Sequence, residues 1–299
     1  MRVKRKMYPP RRVGRDTGEL TDEELRYIHQ ELIEAAVPEL HGRDVFPREP
    51  LPSVGIRSIR SYTKTSMSQA IISMEAEMVS VDRIQLASGD INVPALYKDF
   101  IINWRDIEAI RDFGGSLEME NGRDAARQVA EEENKLLLSG EYVGWPALGI
   151  QGLATVTNRN TQAGGAWPAN CVANINAAIA KLEEDGHTKG PYYLLGRVAQ
   201  IRTLDGQVSN TAITYRQFLL QNKIVDAIIG DDSLYTSGGA TTSAVVCEVD
   251  KKNFALAMAQ DITERPSPLP NGDVFVRVFE VCTPHIKRPT SVCELTGLS

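Results

Sequence analysis

Apolar and polar positions follow a helical period most clearly over residues 121–140. Ala125, Ala126, Val129, Ala130, Leu136 and Leu137 form one apolar stripe, and Asp124, Arg127, Glu131, Glu132 and Lys135 fill much of the remaining surface. Asn121 can cap the start and Gly140 can close the end in a left-handed conformation. The pattern predicts a helix of about 18 residues, roughly 27 Å long. A turn punctuated by Gly144, Pro146, Gly149 and Gly152 follows, carrying Ile150 and Leu153. Upstream, Thr21 and Glu24 make a capping box for a helix with Leu25, Ile28, Leu32, Ala35 and Ala36 on its apolar face and Pro38 at its end. A third helix spans 174–185 through Ile175, Ala178, Ile179 and Leu182, closed by Gly186; a fourth spans 215–229 through Phe218, Leu219, Ile224 and Ile228.

The two-residue period marks the strands. Residues 54–94 read as a long ribbon with Ile56 and Ile59 in an Arg-rich part, then Ile71, Met74, Met78 and Val81, a turn at Ser88-Gly89-Asp90, and an end at Pro94. A ribbon so poor in large apolar residues cannot bury much on its own and needs a neighbour. Residues 97–110 predict a strand running into a short helix, with Phe100, Ile102 and Trp104 pointing one way. Residues 158–168, 203–212 and 237–240 read as loops, whereas 193–195, 243–249 and 254–262 read as strands. Asn271-Gly272 predicts a hairpin into a strand whose Val274, Val276 and Val278 alternate with Phe275, Arg277 and Phe279, a pattern for burial at least partly on both faces.

Composition narrows the function. The 299 residues, 42% apolar, suffice for one large or two ordinary domains. A net charge of −6 argues against nucleic-acid binding by the chain as a whole. The charge is uneven: Arg2, Lys4, Arg5, Lys6, Arg11, Arg12 and Arg15 precede the first acidic residue, Asp16. With Pro9, Pro10 and Gly14, residues 1–18 read as a flexible basic arm, which either contacts nucleic acid or another anionic partner or only aids solubility. No apolar run is long enough to span a membrane and no apolar signal segment opens the chain, so a cytoplasmic protein is expected. Cys171, Cys247, Cys282 and Cys293 contain no C-x-x-C pair and read as reduced structural thiols, with a Cys282–Cys293 disulfide left open by spacing.

Catalytic patterns are missing. His29, His41, His187 and His285 have no metal spacing, and Gly164-Gly165 and Gly238-Gly239 lack a phosphate-loop context. There is no G-x-S-x-G. Glu131, Glu132 and Glu133 fan out around a helix and read as a solvated or intersubunit face. No catalytic residue, cofactor or metal is expected, and the chain is read as a non-enzyme.

The strings themselves add more. The N-terminal helix followed by "L.GR", the extended ribbon, an "AAR.vA..E" helix, "GI.GL", "GPY.L", Gln260-Asp261 in a "GqD" strand and the closing strands occur in the order found in encapsulin shell proteins, and the chain from about Leu20 onward resembles that family. The resemblance implies an α+β, Hong Kong 97-type phage capsid fold. Its parts would be a basic arm (1–18), an N-terminal helix region (19–53), an extended loop (54–94) lying over an adjacent subunit, a peripheral domain (95–160 and 246–299) and an axial domain (161–245). It implies a shell subunit that self-assembles into a hollow icosahedral homo-oligomer around a cargo protein such as a ferritin-like protein or a peroxidase. Cargo would dock near Leu25, Ile28 and Leu32, and Asp205, Gln207, Ser209 and Asn210 would line a pore loop. Two other readings stand beside it. One is the major capsid protein of a tailed virus or provirus, its arm facing packaged DNA. The other is a soluble enzyme with an unrecognised site.

Overall fold

The computed structural model describes residues 20, 22–37, 40–64, 74, 86–113, 120–140, 147–165, 167–186, 188–208, 212–234 and 244–298. The basic arm, the Thr21 cap, Gly144, Pro146, His187 and the turn at 237–240 lie outside them. In chain order the elements are α1 (Asp22–Ala36), α2 (Gly42–Val45), β1 (Arg48–Pro50), β2 (Ser58–Lys64), β3 (Leu86–Asn92), β4 (Ala95–Ile102), α3 (Trp104–Phe113) and α4 (Glu120–Ser139). There follow β5 (Asn160–Ala163), α5 (Cys171–Gly186), β6 (Tyr192–Gly196), α6 (Val198–Thr203), α7 (Tyr215–Gln221), β7 (Ala227–Gly230), β8 (Ala244–Glu248), β9 (Phe254–Pro268), β10 (Val274–Ile286) and β11 (Val292–Thr296).

Two sheets share α4. One has four strands in the order β1-β9-β10-β4; the other has five in the order β5-β11-β8-β6-β7. The predicted stripe of α4 is buried along its length. Its small N-terminal half, Ala125 to Ala130, lets α1 pack close, and both rest on Ile262, Val274, Val276 and Val278 of the first sheet. Its leucine-rich C-terminal half, Leu136 to Leu138, packs with Phe254, Leu256, Val245 and Val292 from the strands of both sheets. The second sheet buries its other side under Cys171, Ile175, Ala178 and Leu182 of α5. The helix begins at Glu120, so Asn121 lies in its first turn and is not its cap. Gly140 ends it at φ +72°.

Several readings of the sequence give way to pairing. Ser88-Gly89-Asp90 is no turn: it runs inside β3, with Ser61 opposite Gly89 and Arg60 opposite Asp90. A two-stranded ribbon has no layer to fill on either face, so polar residues and glycine cost it little. Asn160–Ala163, read as loop, becomes the edge strand β5 by pairing in parallel with β11. The fourth helix is short. Lys223 takes φ +52°, and Ala227–Gly230 continues as β7 beside β6. Trp104 leaves the line of Phe100 and Ile102, starting α3 with 47% of its surface exposed. The last strand, β11, pairs with β8 and β5 of the second sheet, so the C-terminal segment does not all stay with the first. Cys282 and Cys293 accordingly lie in different cores, and all four cysteines are free and buried. Burial pushes the Cys171 and Cys293 thiols up to about 11, which disfavours the reactive thiolate.

Candidate functional site

The scattered motifs meet at one side chain. Gly42, from "L.GR", lies so close to α4 that a Cβ there would come within 2.8 Å of Leu137 Cδ1, and its N–H donates to Asn134 Oδ1 at 2.8 Å. That approach aims Arg43 between α4 and the first sheet. Arg43 Nε and Nη2 donate to Glu133 Oε1 and Oε2 at 2.9 and 2.8 Å, a bidentate fork. Nη2 also reaches Glu280 Oε1 at 2.9 Å, and Nη1 pairs with Asp261 Oδ1 at 2.9 Å. Glu133 is the last position of "AAR.vA..E", and Asp261 is the acid of "GqD". Reading Glu131–Glu133 as a solvated face fails at Glu133, whose side chain is 0% exposed. Three successive helical positions sweep about 200° of the helix surface, so they do not share one narrow face.

Glu133 and Glu280 are both fully buried, and Glu280 Oε2 has no hydrogen-bond donor. Burial first, and then the adjacent Glu133 charge, push the Glu280 carboxyl well above its usual range, against the pull of Arg43. Burial also acts to raise Asp261, but Arg43 outweighs it and holds Asp261 below the usual range. The cluster is a closed joint between α2, α4, β9 and β10. A group whose folded pKa is raised contributes stability below its unfolded value of 4.5, and the contribution declines as pH rises toward the folded value. Glu280→Gln should therefore remove one proton's dependence, about 1.4 kcal/mol per pH unit while that window lasts. The check is the apparent unfolding midpoint as pH rises from the unfolded value of 4.5. Parallel slopes for wild type and variant would show that Glu280 holds no proton.

A second feature is a groove of about 600 Å³ beside α1, lined by Leu25, Arg26, His29, Ile33 and Glu34, with Thr263 and Glu264 of β9 opposite. His29 Nδ1 and Glu264 Oε2 close one side at 2.8 Å. Of the three residues expected to dock cargo, only Leu25 faces this groove. Ile28 and Leu32 are 0% and 1% exposed, since with Ala36 they form the stripe that packs on α4 and the sheet. The outward ladder is Leu25, His29 and Ile33, four residues apart, with Ile33 41% exposed. That spacing was available in the sequence but was hidden by the stronger buried ladder beside it.

The third feature is the loop after α6. Asp205 forms an ion pair with Arg216 at 2.9 Å, and Gln207 makes a bridge to Thr214. Thr214 and Gln217 form a capping box for α7. Ile213 is 37% exposed. Ser209 and Asn210 lie outside the described residues. Among the described residues no histidine, cysteine and carboxylate cluster suits a metal, and no helix is long and apolar enough to cross a membrane.

Comparison with known proteins bears on the family and the fold. Residues 13–264 match the family Linocin_M18, described as encapsulating protein for peroxidase. A type 1 encapsulin shell protein, EncA of Myxococcus xanthus (strain DK1622), is 26% identical over 288 residues, covering 95% of this chain and 96% of that protein. A virus-like particle from Pyrococcus furiosus superposes with a TM-score of 0.64 at 14% identity, over 91% of this chain and 99% of that one. The capsid of a native GTA particle gives 0.62 at 13% identity, over 99% and 96%. The capsid of the Myoviridae phage XM1 gives 0.59 at 14% identity, over 85% and 90%.

Proposed function

The chain belongs to the encapsulating-protein family Linocin_M18, has the Hong Kong 97-type phage capsid fold and is a self-assembling shell protein, and from that premise we propose that it closes into an icosahedral compartment around a cargo enzyme in the cytoplasm. The family's description names a peroxidase, which makes a peroxidase the first cargo to seek, and a ferritin-like protein the second. The observation that supports the reading best is the Arg43 joint. It explains why separate stretches of the family pattern are needed together: they build one subunit wall. The mechanism is physical. Weak contacts repeated around closed symmetry sum to a cooperative assembly, and the subunit itself catalyses nothing.

In this reading α1, α2, α4 and the first sheet make the peripheral lobe, and α5 to α7 with the second sheet make the axial lobe. Asp205, Gln207, Ser209 and Asn210 rim a pore, where the Arg216 partner tempers the charge of Asp205. The arm's seven basic residues would face the interior and hold anionic cargo or nucleic acid.

Electron microscopy of the purified protein, with its ultraviolet absorbance ratio, tests the assembly. Closed shells with a protein-like ratio are expected. Particles filled with nucleic acid would favour a viral capsid, and small oligomers alone would sink the proposal. Cargo docking is tested in the α1 groove. Leu25→Asp with Ile33→Asp should cut co-purified cargo about tenfold while shells persist, since a contact worth about 1–2 kcal/mol per apolar side chain is lost. Leu32→Asp buries a charge and should instead abolish soluble protein. Unchanged cargo in the Leu25/Ile33 variant would remove the groove from the docking site.

A further inference from the structure

The ribbon of β2 and β3 is a sheet of its own, so its direction is set by how its root meets β10. At the root, Ser58 lies opposite Asn92, and Val93 N–H donates to Arg57 O at 2.9 Å. The fully buried Thr283 of β10 donates its hydroxyl to Asn92 O at 2.9 Å, and Asn92 Nδ2 donates to Leu148 O at 2.7 Å. These bonds hold one point, about which a strand pair can still pivot. A second contact lies farther out. His285, two positions beyond Thr283 and so on the same face of β10, brings Nε2 to 3.2 Å from Ser61 Oγ. Ser61 is three residues along β2 from Ser58, about 10 Å at the rise of a strand. Two anchors that far apart fix a direction.

The outer anchor is ionisable and the inner one is not. His285 Nδ1 lies 3.3 Å from Glu49 Oε2 of β1, and Lys287 Nζ reaches the same oxygen at 2.8 Å. Among the described residues, these are the charged groups that act on the ring. Burial acts to raise Glu49, but Lys287 and His285 outweigh it and hold Glu49 below its usual range. Glu49 is therefore a carboxylate and accepts from Nδ1–H. Nε2 of the neutral ring is left as the acceptor for the Ser61 hydroxyl. Burial first, with Lys287 adding to it, lowers His285 from its usual value of 6.5 against the pull of Glu49. Protonation puts a hydrogen on Nε2 and takes away the acceptor that Ser61 uses. It also leaves a charge in a half-buried place, and lifting β2 off the ring lets water reach it.

We propose that His285 and Ser61 form an acid-released clasp. With the Thr283 anchor it holds the ribbon at one angle to the first sheet, and on protonation of the ring it frees the ribbon to pivot about Asn92. A histidine whose value is lowered in the closed state favours that state fully above 6.5, and the advantage is lost as pH falls through the lowered value. The clasp lies within one subunit and stands without the shell reading.

The test is a distance. Ser88→Cys on β3 and Ser267→Cys on β9 are exposed sites, and the native cysteines are all buried, so spin labels take the introduced thiols. Labelled protein is diluted with unlabelled protein, so that pulsed electron resonance reads distances within a subunit. One narrow distance is expected above pH 6.5, and a second, broader population should grow as pH falls below it. Ser61→Ala should raise that second population about fivefold above pH 6.5, the factor that one hydrogen bond carries, and should blunt the response to acid. His285→Gln can keep a bond to Ser61 but cannot titrate, so its distribution should stay constant over the same range. Wild-type distributions in Ser61→Ala would overturn the clasp. A wild-type response to pH in His285→Gln would overturn its release by acid. Should His285→Gln fail to fold by circular dichroism, Ser61→Ala decides both points, since an undiminished pH response there would also place the titration elsewhere. Because the distance is read within one subunit, absence of shells would count against the shell reading and not against the clasp.

Discussion

Arg43→Met is expected to leave little folded subunit at neutral pH. The guanidinium is the shared partner of Glu133 and Glu280, both fully buried, and it also holds Asp261. Removing it strands the buried Glu133 carboxylate, a loss of about 3–5 kcal/mol for a broken buried pair. A domain has only about 5–15 kcal/mol in total. Arg43→Lys should recover part of the loss, because an ammonium keeps the charge but cannot form the fork on Glu133. The diagnostic variant is the triple change Arg43→Met, Glu133→Gln and Glu280→Gln. With the buried charges gone, it should fold better than Arg43→Met alone. Soluble yield and urea unfolding of all three measure the effect. A midpoint for Arg43→Met within error of wild type would mean that this network adds nothing to stability.

The same cluster shows what could be read in the sequence and what could not. The strings "L.GR", "AAR.vA..E" and "GqD" were visible, but nothing local says that Gly42-Arg43, Glu133 and Asp261 touch. Arg43 and Glu133 are 90 positions apart, and Arg43 and Glu280 are 237 apart. A run of three glutamates looks solvated, and only the packing of α2 on α4 turns Glu133 inward. Helices with strong periodicity were legible: α1, α4 and α5 lie where their apolar stripes predicted. The short elements were not. β5 and β7 are strands because a neighbour offers its edge, and pairing is non-local. In the α1 groove, the strongest apolar ladder, Ile28 and Leu32, was taken for the working surface. Those two are core, and Leu25 and Ile33 lie on the outward side of the helix.

Gly152→Ala is expected to be as damaging as any core cavity, though it adds only a methyl group. After α4 the chain turns back on itself, and Gly140 and Gln151 form a bridge between the two passes. A Cβ at Gly152 would stand 2.3 Å from the Gly140 nitrogen and 2.6 Å from the Ser139 carbonyl carbon. These are backbone atoms held by the helix end, so no rotamer change relieves the clash. Relief must come from separating the two passes. That breaks Leu153 N–H to Leu137 O, at 3.1 Å, and Ala154 N–H to Leu138 O, at 2.8 Å, and it lifts the buried Leu153 from the core. Overpacking alone costs about 1–3 kcal/mol, and the lost hydrogen bonds add about 1 kcal/mol each. Gly149→Ala is the matched control. Gly149 has φ +67° but open space around its Cβ position, so only the left-handed strain, about 1 kcal/mol, applies. Thermal unfolding of the two variants should place Gly152→Ala well below Gly149→Ala, with soluble yield falling in the same order. Equal midpoints would show that the two passes move apart freely. In that case "GI.GL" would reflect turn conformation rather than close contact with the central helix.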